Sequence, residues 1–127
     1  MSTDRTRVED VMSSPLETIS KKATVKDAAE RMYDQNINAL FVPGSQAGIV
    51  TNSDIVATVA NGRDPTDVPI SEVMTSPVER VAANLELGEA AAMMTTYGIK
   101  HLPVIDEHGD YVGMVSSTDL NETLANA

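Results

Sequence analysis

Two short segments place a hydroxyl three residues before an aspartate: Thr51-Asn52-Ser53-Asp54 and Ser116-Ser117-Thr118-Asp119. Each follows a glycine and two apolar residues, Gly48-Ile49-Val50 and Gly113-Met114-Val115. This spacing admits two chemistries. At a helix start, the hydroxyl and the carboxylate satisfy backbone N–H groups that have no partner inside the helix. The same helix end offers N–H groups and a positive dipole to a phosphate, while a carboxylate accepts from both hydroxyls of a ribose. Ser53 and Thr118 supply a second hydroxyl that capping does not need. Both readings stay open on these residues alone.

The elements that position the two segments come from an internal duplication. At an offset of 62 residues, Val11, Met12, Ser14, Pro15 and Glu17 recur as Val73, Met74, Ser76, Pro77 and Glu79. Ala28, Ala29, Met32, Ile37, Leu40 and Val42 recur as Ala90, Ala91, Met94, Ile99, Leu102 and Val104. The offset then becomes 65, carrying Gly48, Val50, Asp54, Thr58, Ala60 and Asn61 onto Gly113, Val115, Asp119, Thr123, Ala125 and Asn126. Repeats of this length are read as one structural unit used twice.

Each copy predicts the same elements. Val25, Ala28, Ala29 and Met32, and again Leu87, Ala90, Ala91 and Met94, are spaced as the apolar stripe of a helix. Two apolar runs follow as strands, Ala39 to Val42 and Gly48 to Val50, around the turn residues Pro43-Gly44-Ser45-Gln46. Their counterparts are His101 to Ile105 and Tyr111 to Val115, around Asp106 to Asp110. A second helix is predicted from near Asn52 and near Ser117, with Ile55, Val56 and Val59, then Leu120 and Leu124, directed inward. A short helix precedes each copy, near Val8 to Met12 and Ile70 to Met74, and the prolines of Asp64 to Pro69 mark a linker. The expected fold class is α/β (α+β), with two β-α-β-β-α copies, 8–63 and 70–127, packed around a pseudo-two-fold axis. One copy alone is too small to bury a sufficient core. Helix faces containing Ala28, Ala29, Ala90 and Ala91 are either interior or meet a second chain.

Composition narrows the function. The 127 residues include 19 acids and 9 bases, a formal net charge of −10. Phosphate neutralisation along a nucleic acid needs a basic face, so nucleic-acid binding is not expected. Residues 1–64 carry 7 bases and 9 acids, whereas residues 65–127 carry 2 bases and 10 acids; Arg80 and Lys100 are those two. Such acidity fits either an ordinary acidic cytosolic protein or one kept soluble in concentrated salt. With no Cys and no apolar run of the roughly 18 residues that a membrane helix needs, a soluble cytoplasmic protein without disulfides is the expectation. The polar start, Met1 to Arg7, lacks the apolar centre of a secretory signal.

No catalytic motif is present: no P-loop, dinucleotide glycine fingerprint, H-E-x-x-H or G-x-S-x-G. His101, Asp106, His108 and Asp110 form a conceivable metal cluster, but Asp106 to Asp110 reads better as a polar turn. No enzyme and no metal site are expected.

The order of motifs resembles a known family. The Val11-Met12 and Val73-Met74 starts, Thr24-Val25 with Ala28-Ala29, Ile99-Lys100-His101-Leu102-Pro103-Val104-Ile105-Asp106, and the two glycine-to-aspartate segments look like a tandem pair of CBS domains, or Bateman module, over residues 8–127. The resemblance implies a sensing module with two clefts, often assembled as a homodimer of pairs. It implies no obligatory cofactor, and as ligand an adenosyl compound such as AMP, ADP, ATP or S-adenosylmethionine. Carried over, Asp54 and Asp119 hold ribose hydroxyls, with Thr51 and Ser53, or Ser116 and Thr118, near phosphate. Pro15, Leu16 and Glu17, or Pro77, Val78 and Glu79, face the base. Ile37 and Asn38, and Ile99, Lys100 and His101, line the strand starts. Basic residues occupy those strand positions in phosphate-binding members, and here only the second copy has them. The cleft with Asp119 is therefore expected to be the better nucleotide site, and that with Asp54 weaker, empty or suited to a less charged adenosyl compound. Lys100 is either a phosphate ligand or a solubilising surface charge, and His101 either a ligand contact or a hydrogen-bonded strand residue. With no residues left for an effector domain, the regulated partner is expected in trans. The competing reading is a ligand-independent homodimerisation or interaction module in which both aspartates are caps only.

Overall fold

The computed structural model describes residues 6–125, with side chains as far as Thr123. The expected inward position of Leu124 and the end of the second copy lie outside the described residues. The chain forms two compact units that cut across the copy boundaries. One is Glu17–Val78; the other joins the chain up to Leu16 to everything from Glu79 onward.

In the Glu17–Val78 unit, helix α1 (Val25–Gln35) begins at Thr24, whose Oγ1 accepts from Asp27 N (3.1 Å) while Thr24 N donates to Asp27 Oδ2 (2.9 Å). It ends at Asn36 in the left-handed region, φ 54°. Val25, Ala28 and Met32 of the predicted stripe are buried. Strands β1 (Ala39–Val42) and β2 (Gly48–Thr51) pair antiparallel from Ala39 opposite Thr51 to Val42 opposite Gly48. The copy's first strand is reduced to a single parallel bridge of Thr18 to Phe41, because the chain turns at Ser20, whose carbonyl accepts from Ala23 N. Helix α2 (Asn52–Ala60) starts where expected, and α3 (Ile70–Val73) is one short turn.

The inward residues of α2 are a correction to the sequence reading. Val56 is 65% exposed and Val59 59%, whereas Thr58 is 3% exposed. Ile55 and Thr58 share one narrow inward strip, and the Thr58 hydroxyl donates to Asp54 O (2.9 Å), so burial leaves it satisfied. Val56 and Val59 stand about 100° further round the helix. The segment Asp64 to Pro69, read as a linker, contributes one side chain, Val68, to the core. Val68 is buried, its carbonyl accepts from Val25 N (2.9 Å), and Pro65 O accepts from Lys26 N (3.1 Å).

In the second unit a single 3-10 turn (Val8–Asp10) buries Val8 and is tied to the later chain by Val8 N to Leu85 O and Glu9 N to Ala83 O, both 2.9 Å. Strands β3 (Val81–Ala82), β4 (His101–Ile105) and β5 (Tyr111–Ser116) form one sheet in that order, β3 parallel to β4 and β4 antiparallel to β5. Helix α4 (Leu87–Tyr97) buries Leu87, Ala90 and Met94 and stops at Gly98, φ 65°. Helix α5 (Ser117–Ala125) follows β5 without a loop. Leu102, Val104 and Val115 are fully buried, and each such side chain stabilises the unit by about 1.5–3 kcal/mol relative to exposure. No helix among the described residues is long and apolar enough to cross a membrane.

Candidate functional site

Both hydroxyl-to-aspartate segments sit at a strand-to-helix junction, and both aspartates are half-buried. In the unit with Asp119, Ser116 N donates to Asp119 Oδ2 (3.0 Å) and Asp119 N donates to Ser116 Oγ (3.2 Å). In the unit with Asp54, Thr51 N donates to Asp54 Oδ2 (2.8 Å), and the Thr51 hydroxyl donates to the same oxygen at 3.3 Å. The capping chemistry is therefore real. Among the described residues these bonds fall on Oδ2 alone, so each cap occupies one carboxylate oxygen and leaves Oδ1 to accept from another donor. Ser53 and Thr118 are exposed in the first turn, beyond the bonds of the cap.

The strand starts are fastened to these helix starts. Ser117 N donates to Lys100 O (2.8 Å), and Asn52 N donates to Asn38 O (3.0 Å). Lys100 and Asn38 are exposed, whereas Ile99 and Ile37 are half-buried. His101 lies directly opposite Ser116 across β4 and β5; the corresponding pair in the other unit is Ala39 opposite Thr51. Burial holds the His101 imidazole below its ordinary pKa of 6.5, the nearby Asp119 carboxylate pulls the other way, and Lys100 adds to the lowering.

The residues expected at the base divide between the units. Pro15, Leu16 and Glu79 lie in the unit with Asp119; Glu17, Pro77 and Val78 lie in the unit with Asp54. Pro15 and Pro77 each follow a cis peptide bond on a strap that runs over a strand. Ser13 exchanges both backbone bonds with Met114 (2.8 and 3.0 Å), and Thr75 does so with Ile49 (2.9 and 3.0 Å). Ser76 Oγ then donates to Gln46 O (2.9 Å) and Ala47 O (3.2 Å), which carries Pro77 toward the β1–β2 turn and away from the Thr51 end of β2. The straps are thus tied to the middle and turn end of the strands, and the helix starts to the other end.

Two residues of this arrangement escaped the sequence reading. A Cβ at Gly113 would stand 2.6 Å from Ser13 O and 2.8 Å from Met12 Sδ; at Gly48 it would meet Met74 Sδ at 2.8 Å and Thr75 O at 2.9 Å. Both glycines are required by the close approach of the straps. The signal was a glycine inside a strand at the same place in both copies, which marks such an approach.

Asp106 belongs to the hairpin turn. Its Oδ1 accepts from His108 N (2.9 Å) and Asp110 N (3.0 Å), bonds that hold its carboxyl below the ordinary value. No cluster of three metal-ligating side chains occurs among the described residues. An open groove along α1, lined by Ile19, Ala23, Asp27, Glu30, Asp34 and Gln35, contains none of the candidate residues.

Comparison with known proteins agrees with the duplication. The family model for the CBS domain matches twice, over residues 8–61 and 70–126. The CBS domain-containing protein YhcV of Bacillus subtilis is 34% identical over 116 residues, covering 89% of this chain and 81% of that protein. An uncharacterised 17.7 kDa protein of Acidianus ambivalens is 34% identical over 122 residues, covering 94% of this chain and 73% of its own length. Among solved structures, the CBS domain pair of protein MJ0100 superposes with a TM-score of 0.84 at 28% identity, covering 95% and 97% of the two chains. That structure is a complex with 5'-methylthioadenosine and S-adenosyl-L-methionine.

Proposed function

Since the chain belongs to the CBS domain family, with both copies matched, we propose that it is a non-catalytic regulatory module that binds an adenosyl ligand and modulates a protein partner in trans. The observation that carries this reading is the repeated helix start: in each unit a half-buried aspartate spends one oxygen on its cap and keeps the other for a ligand. A structural neighbour that holds two adenosyl compounds supports it.

In the proposed mode, Asp119 and Asp54 accept from ribose hydroxyls, while Ser116 and Thr118, or Thr51 and Ser53, donate toward a phosphate at the helix start. Pro15 and Leu16, or Pro77 and Val78, give the base an apolar surface, with Glu17 and Glu79 beside them. Lys100 and His101 equip the Asp119 unit for a charged ligand such as AMP, ADP or ATP. Asn38 and Ala39 leave the Asp54 unit suited to an uncharged adenosyl group or to S-adenosylmethionine. The ligand is exchangeable and not an obligatory cofactor, and the protein works in the cytoplasm. Binding to one conformation in preference to another would be the means by which the partner is addressed.

A second reading is favoured by Tyr33, 87% exposed, together with Val56 and Val59, which leave apolar surface on α1 and α2 of one unit. This is the ligand-independent homodimerisation module, and the same surface would serve the homodimer of the first reading. Titration calorimetry separates the two. Under the first, AMP and S-adenosylmethionine give saturable heats, AMP binding is lost in Asp119→Ala and retained in Asp54→Ala. Absence of binding by every adenosyl compound tested, with an intact dimer, would establish the second.

A further inference from the structure

The two helix starts differ most sharply at one position. Where the Asp54 unit has Ala39 opposite Thr51, the Asp119 unit has His101 opposite Ser116. Directly opposed residues of an antiparallel pair project on the same face, with Cβ atoms about 4.5–5.5 Å apart. His101 and Ser116, whose hydroxyl caps Asp119, therefore project from one face of the sheet. The half-buried place of His101 on β4 favours the neutral imidazole in the free protein, since burial outweighs the pull of Asp119. The charged groups that act on it are Asp119 from α5 and Lys100, the residue before β4; β5 opposes it with the uncharged Ser116.

Building on the adenosyl-binding reading above, we propose that His101 makes the Asp119 unit a proton-coupled selector for phosphate: a phosphate-bearing adenosyl ligand binds together with a proton taken up by His101, whereas a phosphate-free one binds without it. A phosphate brought to the start of α5 adds a second anion beside the imidazole. That tips a balance which Asp119 alone does not tip. Adenosine adds no such charge, and the imidazole stays neutral. The Asp54 unit, with a methyl group at this place, has no means of matching its charge to the ligand.

The test uses the full chain with AMP and adenosine at about pH 7 and about pH 8, where a phosphate monoester with a second pKa near 6 stays largely dianionic. Wild-type affinity for AMP should fall with rising pH, by up to about tenfold per unit, while adenosine affinity stays level. Calorimetry in buffers of different ionisation enthalpy should show proton uptake for AMP alone, and His101→Gln should remove both effects. Proton NMR of the wild type provides a check that needs no variant. AMP should raise the titration midpoint of His101, and adenosine should not. A pH slope that persists in His101→Gln, or AMP binding with no shift of His101, would overturn the proposal alone. A wild type that binds neither AMP nor adenosine would overturn it together with the reading on which it rests.

Discussion

Asp27, Asp54 and Asp119 each accept a hydrogen bond from the backbone three residues earlier, so residue type and spacing do not separate a plain cap from a ligand-facing one. Their surroundings do. Asp27 is on the surface with its box turned to solvent, whereas Asp54 and Asp119 are half-buried beside strand starts. Thr24→Ala and Asp119→Ala should therefore each cost a cap's worth of stability, about 0.5–2 kcal/mol by urea denaturation, and only the second should abolish AMP binding. The dual nature of the pattern was legible in the sequence. The proximity of His101 to Ser116 was not, because it depends on strand register. The direction of the His101 shift carries a stability consequence. A histidine held below its unfolded value leaves the unfolded chain binding more protons, so stability is full above about pH 6.5 and falls as pH drops toward the folded value. Denaturation midpoints should decline in that window and decline less in His101→Gln. The surface carboxyls of Asp27, Asp64 and Asp106 are lowered by hydrogen bonds to backbone N–H groups. Their contribution is present above the ordinary value of 3.8 and is lost as pH falls below it.

The long helices and hairpins were readable because their patterns are local: the stripes of α1 and α4 and the turns between paired strands each fit within a dozen residues. The misread side chains depend on partners distant in sequence. Val56 and Val59 look inward by composition, yet the strip of α2 that meets the core is set by Ile55 and the hydroxyl-satisfied Thr58. Val68 looked like linker because two prolines surround it, and it is buried because α1 hydrogen-bonds back to that segment. Glycines separate the same way. Gly88 in α4 has open space around its missing side chain, so Gly88→Ala should stabilise by about 0.5–1 kcal/mol. Gly113→Ala would drive a methyl into the Ser13 carbonyl and should cost about 1–3 kcal/mol. Thermal midpoints that move in opposite directions would bear this out, and a neutral Gly113→Ala would contradict the close approach of the strap.

For the whole chain, the unit of sequence and the unit of packing differ. The repeat runs over 8–63, but the core built on Ile19, Val25 and Leu40 also contains Val68 and Ile70, which lie beyond it. A fragment of residues 17–78 should accordingly show cooperative unfolding by circular dichroism, while a fragment of residues 8–63, deprived of two fully enclosed side chains, should not. The duplication was plain from identities at a fixed offset; the assignment of each lead-in to a unit was not, since it is made by backbone bonds such as Ser13 to Met114 that carry no side-chain signature.

The central claim, that the second copy's helix start holds an adenosyl nucleotide, is tested most directly by thermal unfolding with AMP, ADP, ATP, S-adenosylmethionine and NAD. The scans are run at low and high KCl because a net charge of −10 makes apparent affinity for an anion sensitive to salt. A ligand at about 100 times its dissociation constant adds about 2.7 kcal/mol, which should raise the midpoint by several degrees. The account predicts such a rise for at least one phosphate-bearing nucleotide, lost in Asp119→Ala and kept in Asp54→Ala. A midpoint unmoved by every compound in both salts, or a rise with AMP, ADP or ATP that survives Asp119→Ala, would contradict it.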